Sequence, residues 1–144
     1  MRPASLHLTL AFVGSVTPTQ VAQLEEIAAG VRAGAFDLRL DRLGFWPQRG
    51  ILWAGCSQSP APLLRLAESL VARLRAAAFV IDHGSALVPH ITLARRARCS
   101  SLPQLEIPIR WQVSEFALVE THLHPSAASY KALASFPLNE VDAG

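Results

Sequence analysis

The sequence predicts an α+β protein in which mostly antiparallel strands are flanked by two outer helices. Three observations support this fold class: several segments alternate between apolar and polar residues, two segments carry apolar residues at helical spacing, and the length of 144 residues suits one domain. We expect that domain to cover residues 1–144, with the order strand-helix-strand-strand followed by helix-strand-strand-strand.

The first half opens with a predicted strand over residues 6–13, where large apolar residues alternate with small or polar ones and Phe12 belongs to the apolar face. Thr17 followed by Pro18 is typical of a helix start, because the hydroxyl caps the first turn and proline suits the first helical position. Gly34 predicts the end of that helix. This half therefore begins with a strand and an outer helix.

A hairpin is predicted next. Alternation returns over residues 36–43, and residues 51–56 form a short apolar strand. The turn-forming residues 47–50 lie between them, so we expect the two strands to pair.

The second half begins with a helix predicted after the Ser-Pro pair at 59–60. Its strands are predicted over residues 89–94, 111–122 and 130–138. Prolines mark residues 96–108 as a connection rather than an element.

The composition excludes several functional classes. Hydrophobic residues make up 51% and charged residues 17% of the chain, which excludes a disordered or fibrous protein. No apolar run approaches the roughly 20 residues that a membrane span requires. The formal charge of +2 is too small to indicate a general nucleic-acid binder.

Two residue types refine this picture. Lys131 is the only lysine among the 13 basic residues; arginine suits phosphate recognition, although an Ala- and Arg-rich genome explains the bias more simply. Cys56 and Cys99 stand at no metal-ligand spacing, and no signal-type segment opens the chain. We expect both cysteines to be reduced thiols in a cytoplasmic protein.

The most informative feature is a repeated pentapeptide. HLTLA at residues 7–11 returns as HITLA at residues 90–94. Each copy lies in a predicted strand, and its histidine and threonine share one face because they are two residues apart. The chain therefore looks like two related lobes that each present one histidine and one threonine to a shared cleft.

Two histidines and two threonines in this arrangement suit a phosphodiester. One imidazole takes a proton from water while the other gives a proton to the leaving oxygen, and the ordinary pKa of histidine, about 6.5, suits both tasks. The hydroxyls of Thr9 and Thr92 donate hydrogen bonds to the oxygens of a phosphate held between His7 and His90. No carboxylate cluster or glycine-rich phosphate loop competes with this hypothesis.

These motifs resemble those of a known superfamily. LHLTLAFVG at 6–14, PHITLAR at 89–95, LWAG at 52–55 and the closing residues from Tyr130 to Leu138 resemble the two-histidine (2H) phosphoesterases. Within them, the sequence is most similar to the LigT-like RNA 2′,3′-cyclic phosphodiesterases, also called 2′-5′ RNA ligases. The resemblance implies two lobes around a cleft and metal-independent hydrolysis without a cofactor. It implies RNA ends or nucleoside 2′,3′-cyclic phosphates as substrates and a 2′-phosphomonoester as product.

The resemblance also implies residue roles. His7 is expected to be the general acid for the departing 3′-oxygen, and His90 the general base for water. Thr9 and Thr92 are expected to hold the phosphate oxygens. Arg95 follows the second motif and is expected to add a charged phosphate contact, although strict alternation places it on the face opposite His90.

The sequence departs from the family pattern at its start. Similar chains usually carry a strand and a helix before the first motif, whereas only six residues precede His7 here. We therefore expect the opening strand and helix to be missing, which would leave one lobe with an unpaired strand edge.

The sequence leaves alternatives open for the site and for other residues. The same site could join RNA ends through a 2′-5′ linkage without ATP, or it could be a non-catalytic RNA- or nucleotide-binding module, although both motifs are intact. His122 and His124 could form half a metal site, but no third ligand is evident, so we expect no metal. Three tryptophans could stack on bases; core packing is favoured for two of them, Trp53 and Trp111, and Trp46 is the third.

Overall fold

The protein combines two helices with antiparallel sheets, as a computed structural model that describes residues 3–81, 87–123 and 128–139 shows. This architecture confirms the predicted fold class. No helix in these ranges is long and apolar enough to cross a membrane. The elements are a 3-10 turn (Pro3–Ser5), α1 (Pro18–Ala29), β1 (Phe36–Leu40), β2 (Arg42–Trp46), β3 (Ile51–Gly55), α2 (Ala61–Ala76), β4 (His90–Ala94), β5 (Ile109–Val113), β6 (Glu115–His122) and β7 (Ser129–Pro137).

The first helix, α1, begins where the sequence predicts. Thr17 Oγ1 accepts a hydrogen bond from the Gln20 amide at 3.2 Å, and Gln20 Oε1 accepts one from the Thr17 amide at 2.9 Å, which is a capping box. The predicted end at Gly34 is wrong, because the helix is capped by Gly30. Leaving the helix there allows Val31 to pack in the core.

Residues 36–43 form two strands instead of the predicted one. β1 pairs with β5, while β2 pairs with β3 in another sheet. Asp41 stands at the break, where its carboxylate accepts hydrogen bonds from the Ser57 hydroxyl and, at 2.7 Å, from the Ser57 amide. These hydrogen bonds, chiefly the one from the hydroxyl, hold the pKa of Asp41 below its ordinary value. A hairpin across residues 47–50 is confirmed, but its first strand is β2, which shares only Arg42 and Leu43 with the predicted strand.

Residues 111–122 are likewise two strands, β5 and β6, which the prediction joined. They separate at Ser114, whose carbonyl accepts a hydrogen bond from the Leu138 amide at 2.8 Å. The apolar positions shift at this break from odd-numbered residues, Trp111 and Val113, to the even-numbered Phe116, a sign that the prediction of one strand overlooked. The prediction that Trp111 lies in the core is wrong: it remains 40% exposed, because β5 is the outer strand of a two-stranded sheet.

The core consists of two clusters, and α2 contributes residues to both. The first cluster joins α2 to β1 and β4, and the second joins α2 to α1. Burying each large apolar side chain contributes about 1.5–3 kcal/mol to folding. The first cluster contains Val31, Phe36, Leu38, Leu40, Leu63, Leu66, Leu70, Ile91 and Leu138; the second contains Leu24, Val71, Leu74, Phe79 and Ile81.

The first pentapeptide departs from its predicted strand. Within residues 6–13 the structure has a single antiparallel bridge, between Leu8 and Ile91 of β4, and the chain bends at Leu10. The prediction of a continuous strand over these residues is therefore wrong, although the segment does run beside β4.

The bend at residue 10 arises because this segment passes from one core cluster to the other. Leu8 and Leu10 pack against the first cluster, whereas Ala11 and Val13 pack against the second. Even-numbered residues face inward before the bend, and odd-numbered residues face inward after it. Phe12 is therefore 76% exposed, and the prediction that it belongs to the core face is wrong.

Candidate active site

The bridge between the two pentapeptides brings their polar residues together. Its antiparallel register sets His7 opposite Thr92 and Thr9 opposite His90, so all four side chains belong to one face. The two histidines are diagonal neighbours in this register, and such positions lie about 7–8 Å apart in a regular strand pair. That separation leaves room for a phosphate between the imidazoles.

Both imidazoles are held by the same local hydrogen bond. His7 Nδ1 lies 2.8 Å from the carbonyl oxygen of Ser5, and His90 Nδ1 lies 2.9 Å from that of Val88. A carbonyl oxygen only accepts, so each Nδ1 donates and each Nε2 is left for substrate. A free Nε2 accepts a proton when the ring is neutral and donates one when it is charged. The geometry thus equips both rings for acid–base work.

The site face of the central sheet is built around Trp53. This residue pairs with Gly44 of β2 and with Thr92 of β4, so its indole lies on the face that carries the motifs. A Cβ at Gly44 would overlap the indole, and one at Gly55 would lie 2.7 Å from it. The two glycines therefore form a slot for the ring. The Arg42 guanidinium lies 5.4 Å from the ring centroid as a cation–π partner.

His90 rests against this aromatic group. The Trp46 ring meets the imidazole edge-on, with 4.7 Å between ring centroids, and the Trp53 ring lies at 6.4 Å. The two indoles are themselves 5.3 Å apart. Trp53 is buried, at 7% exposure, as predicted, yet Trp53 Nε1 finds no acceptor among the described residues. Packing therefore holds this indole, and the indoles in turn restrict the imidazole.

His7 has a different neighbour. The ring of Tyr130, in β7, lies 4.5 Å from the imidazole, centroid to centroid, at an interplanar angle of 53°. The β6–β7 hairpin thereby supports the first motif, whereas the β2–β3 hairpin supports the second. The sequence places Tyr130 only within a segment of family resemblance, and nothing in its pattern predicts this contact.

Arg95 is less firmly placed than the motif residues. It is exposed and follows the last residue of β4, and Arg96 after it has a left-handed backbone, with φ of +53°. No hydrogen bond or ion pair within the described part of the chain joins Arg95 to the motifs. Its phosphate contact stays a prediction.

The remaining polar candidates are the histidines at 122 and 124 and the two cysteines. His122 Nε2 lies 3.5 Å from Glu120 Oε1, and His124 is outside the described residues. Over the described ranges, no three His, Cys, Asp or Glu side chains are grouped to hold a metal. Cys56 and Cys99 are free thiols, and burial raises the pKa of Cys56.

A mixed helix and antiparallel-sheet fold that sets two His-x-Thr motifs side by side defines the two-histidine phosphoesterase class. Residues 2–125 match the 2′-5′ RNA ligase superfamily, and the chain belongs to that family. The resemblance inferred from the motifs is thereby confirmed.

Individual relatives agree with this assignment. An Escherichia coli K12 protein named RNA 2′,3′-cyclic phosphodiesterase is 31% identical over 137 residues, which cover 94% of this chain and 77% of the relative. A crystal structure of a phosphoesterase superposes with a TM-score of 0.87 at 30% identity, over 94% of this chain and 78% of the other. The crystal structure of E. coli LigT complexed with 3′-AMP superposes with a TM-score of 0.82 at 29% identity, over 94% of this chain and 76% of the other.

Proposed function

We propose that the protein hydrolyses RNA 2′,3′-cyclic phosphate ends to 2′-phosphomonoesters. The observation that carries this proposal is the bridge-paired arrangement of two histidines, each with Nδ1 bound to a carbonyl and Nε2 without a hydrogen-bond partner among the described residues. The activity named for the E. coli relative, and the nucleotide bound in the LigT structure, support a nucleotide phosphate as substrate.

The proposed reaction is a single displacement at phosphorus. His90 Nε2 takes a proton from water as the water oxygen forms its bond to phosphorus. The bond from phosphorus to the 3′-oxygen breaks, and His7 gives that oxygen its Nε2 proton. The products are a 2′-phosphomonoester and a free 3′-hydroxyl. His90 is then charged and His7 neutral, and proton exchange with solvent restores both.

The neighbouring side chains have binding and orienting roles in this proposal. Thr9 and Thr92 donate hydrogen bonds to the non-bridging phosphate oxygens from positions opposite the two histidines. Arg95 adds a charged contact to the phosphate. Trp46 and Tyr130 restrict the rotation of the two imidazoles, so that each Nε2 stays directed at the phosphate.

The proposal extends to organisation and location. Residues 1–144 act as one domain, because each histidine depends on a different hairpin and the phosphate needs both. We also propose a cytoplasmic location, which suits an enzyme that acts on RNA ends.

Turnover of a ribonucleoside 2′,3′-cyclic phosphate tests this function. We expect the 2′-phosphate as the product, at a rate unaffected by excess chelator, because imidazoles supply both proton transfers. A 3′-phosphate as sole product would reverse the roles of the two histidines. Binding of the cyclic nucleotide without turnover would favour the non-catalytic module.

A further inference from the structure

Two loops beside the second motif are joined to each other. The turn at 47–50 follows β2, and the segment after β4 begins at residue 95. The Ala97 amide donates a hydrogen bond to the Gly50 carbonyl at 2.8 Å. A Cβ at Gly50 would lie 3.1 Å from Arg96 Cα, and both residues have left-handed backbones, with φ of +62° and +53°. The two loops therefore form one continuous surface.

This surface is strongly positive. It carries three exposed arginines, Arg49, Arg96 and Arg98, which we call the arginine strip. Residues 47–50 and 94–100 contain no Asp or Glu, and no ion pair to the strip occurs within the described ranges. Together with Arg95, these loops hold four of the 13 basic residues, and the other nine are outnumbered by the 11 acidic residues. The positive charge is thus local, although the chain as a whole is only +2.

The arginine strip is continuous with the candidate active site. β4 runs from His90 directly into the second loop, and Trp46, whose ring contacts His90, immediately precedes the first. An open depression of about 360 Å³ at the first loop is lined by Trp46, Gln48 and Arg49. A nucleic-acid strand that leaves the phosphate site on this side passes an indole surface and then the arginines.

We propose that the arginine strip binds the sugar-phosphate backbone of the RNA strand upstream of the cyclic end. The inference rests on the proposed function and names its substrate as an RNA strand in preference to a mononucleotide. Arginine suits this task because its planar guanidinium binds two phosphate oxygens at once. Bases stack on aromatic rings whatever their sequence, so Trp46 accommodates the base between the cyclic end and the strip.

Binding of a product-like RNA tests the strip without requiring turnover. The probe is a 5′-fluorescein oligoribonucleotide of about six nucleotides with a 2′-phosphate end, a length typical of single-strand sites. Each phosphate contact to a single strand contributes about −0.7 to the slope of log affinity against log salt, so three contacts predict about −2.

The test variant is Arg49→Gln/Arg96→Gln/Arg98→Gln. Its matched control, Arg39→Gln/Arg65→Gln/Arg110→Gln, removes three exposed arginines from β1, α2 and β5, so both variants change the net charge equally. We expect the test variant to lose at least about tenfold in RNA affinity at low salt, and most of the slope of log affinity against log salt. The control should keep the wild-type affinity and slope. Equal losses in the two variants, or none in the test variant, would overturn the proposal.

Kinetics separate this inference from the proposed function. In the wild type, kcat/KM for a short RNA with a 2′,3′-cyclic phosphate end should exceed that for the mononucleotide by about tenfold. This is the same factor by which the test variant is expected to lose RNA affinity. The strip variant should lose this advantage and retain mononucleotide turnover. An equal fall on both substrates would contradict a strip that contacts only upstream RNA. A wild-type protein that binds RNA through the strip but turns over neither substrate would refute the proposed function alone.

Discussion

The two pentapeptides hold their histidines in the same way but rest on different supports. In each, Nδ1 bonds to the carbonyl two residues earlier. The second motif lies in β4, a regular strand paired with β3, whereas the first motif has one bridge and is positioned by packing against the two core clusters. The comparison teaches that a short sequence repeat reproduces the orientation of a side chain, while the surrounding chain decides how firmly the motif is held.

The largest effect is expected from removing either histidine. His7→Ala and His90→Ala should each lower kcat by about 10²–10⁴-fold, the usual contribution of a positioned acid or base. Affinity for a 2′-phosphate product should change far less in both variants. A fall in kcat in only one of the two variants would show that the motifs are similar in geometry but not in role.

Threonine substitutions sharpen the comparison at the phosphate. Thr9→Ala and Thr92→Ala each remove a donor to a charged group, worth about 1.5–3 kcal/mol, so product affinity should fall about 10–100-fold. Isothermal titration with a nucleoside 2′-phosphate measures this. Thr9→Ser and Thr92→Ser keep the hydroxyl and should restore binding; failure of both serine variants to do so would remove the hydrogen-bonding role.

Gly44 offers a way to disturb the second motif alone. Gly44→Ala places a Cβ into the indole of Trp53, and such overpacking costs about 1–3 kcal/mol of unfolding free energy. Because Trp53 and Trp46 support His90, we expect kcat to fall as well, by about tenfold for 1.4 kcal/mol of lost positioning. Gly30→Ala is the control, since Gly30 has a right-handed backbone and its nearest neighbour is a flexible arginine. Equal stability of both variants in denaturant unfolding would contradict the slot for Trp53.

The smallest effects are expected from the two aromatic supports. Aromatic pairs contribute about 0.5–1.5 kcal/mol, so Trp46→Ala and Tyr130→Ala should each lower kcat by about 2–10-fold while KM for a mononucleotide changes less. Tyr130→Phe keeps the ring that contacts His7 and should retain activity. A Phe variant as impaired as the Ala variant would transfer the role from the ring to the hydroxyl.

The sequence predicted those features that local pattern controls. Both helix starts, the β2–β3 hairpin and both motif histidines follow from capping residues, turn residues and a repeat. It failed where tertiary contacts decide: the strands break at Asp41 and Ser114 because the chain changes sheets there. At both breaks the apolar positions also shift by one residue, but that shift alone does not say which strand pairs with which. The change of inward-facing positions that exposes Phe12 depends on two core clusters that no local pattern reveals.

The same division applies to the site. His-x-Thr spacing predicts that each pair shares a face, but only the bridge between the motifs shows that the two pairs face one another. Gly44 was missed, because the reason for a glycine there is an indole from the neighbouring strand. Pairing the predicted hairpin in register would have revealed the signal. It sets Gly44, two residues before Trp46, directly opposite Trp53.

The pH dependence of kcat in the wild type and the two histidine variants tests the central claim most directly. The account predicts a bell-shaped profile, because His90 must be neutral to take a proton and His7 must be charged to give one. His90→Ala should lose the fall in rate at low pH, and His7→Ala the fall at high pH, each at a reduced rate. Two results would contradict two-histidine acid–base catalysis. One is a profile in which either variant keeps both limbs. The other is a kcat within about threefold of the wild type, far short of the expected loss of about 10²–10⁴-fold.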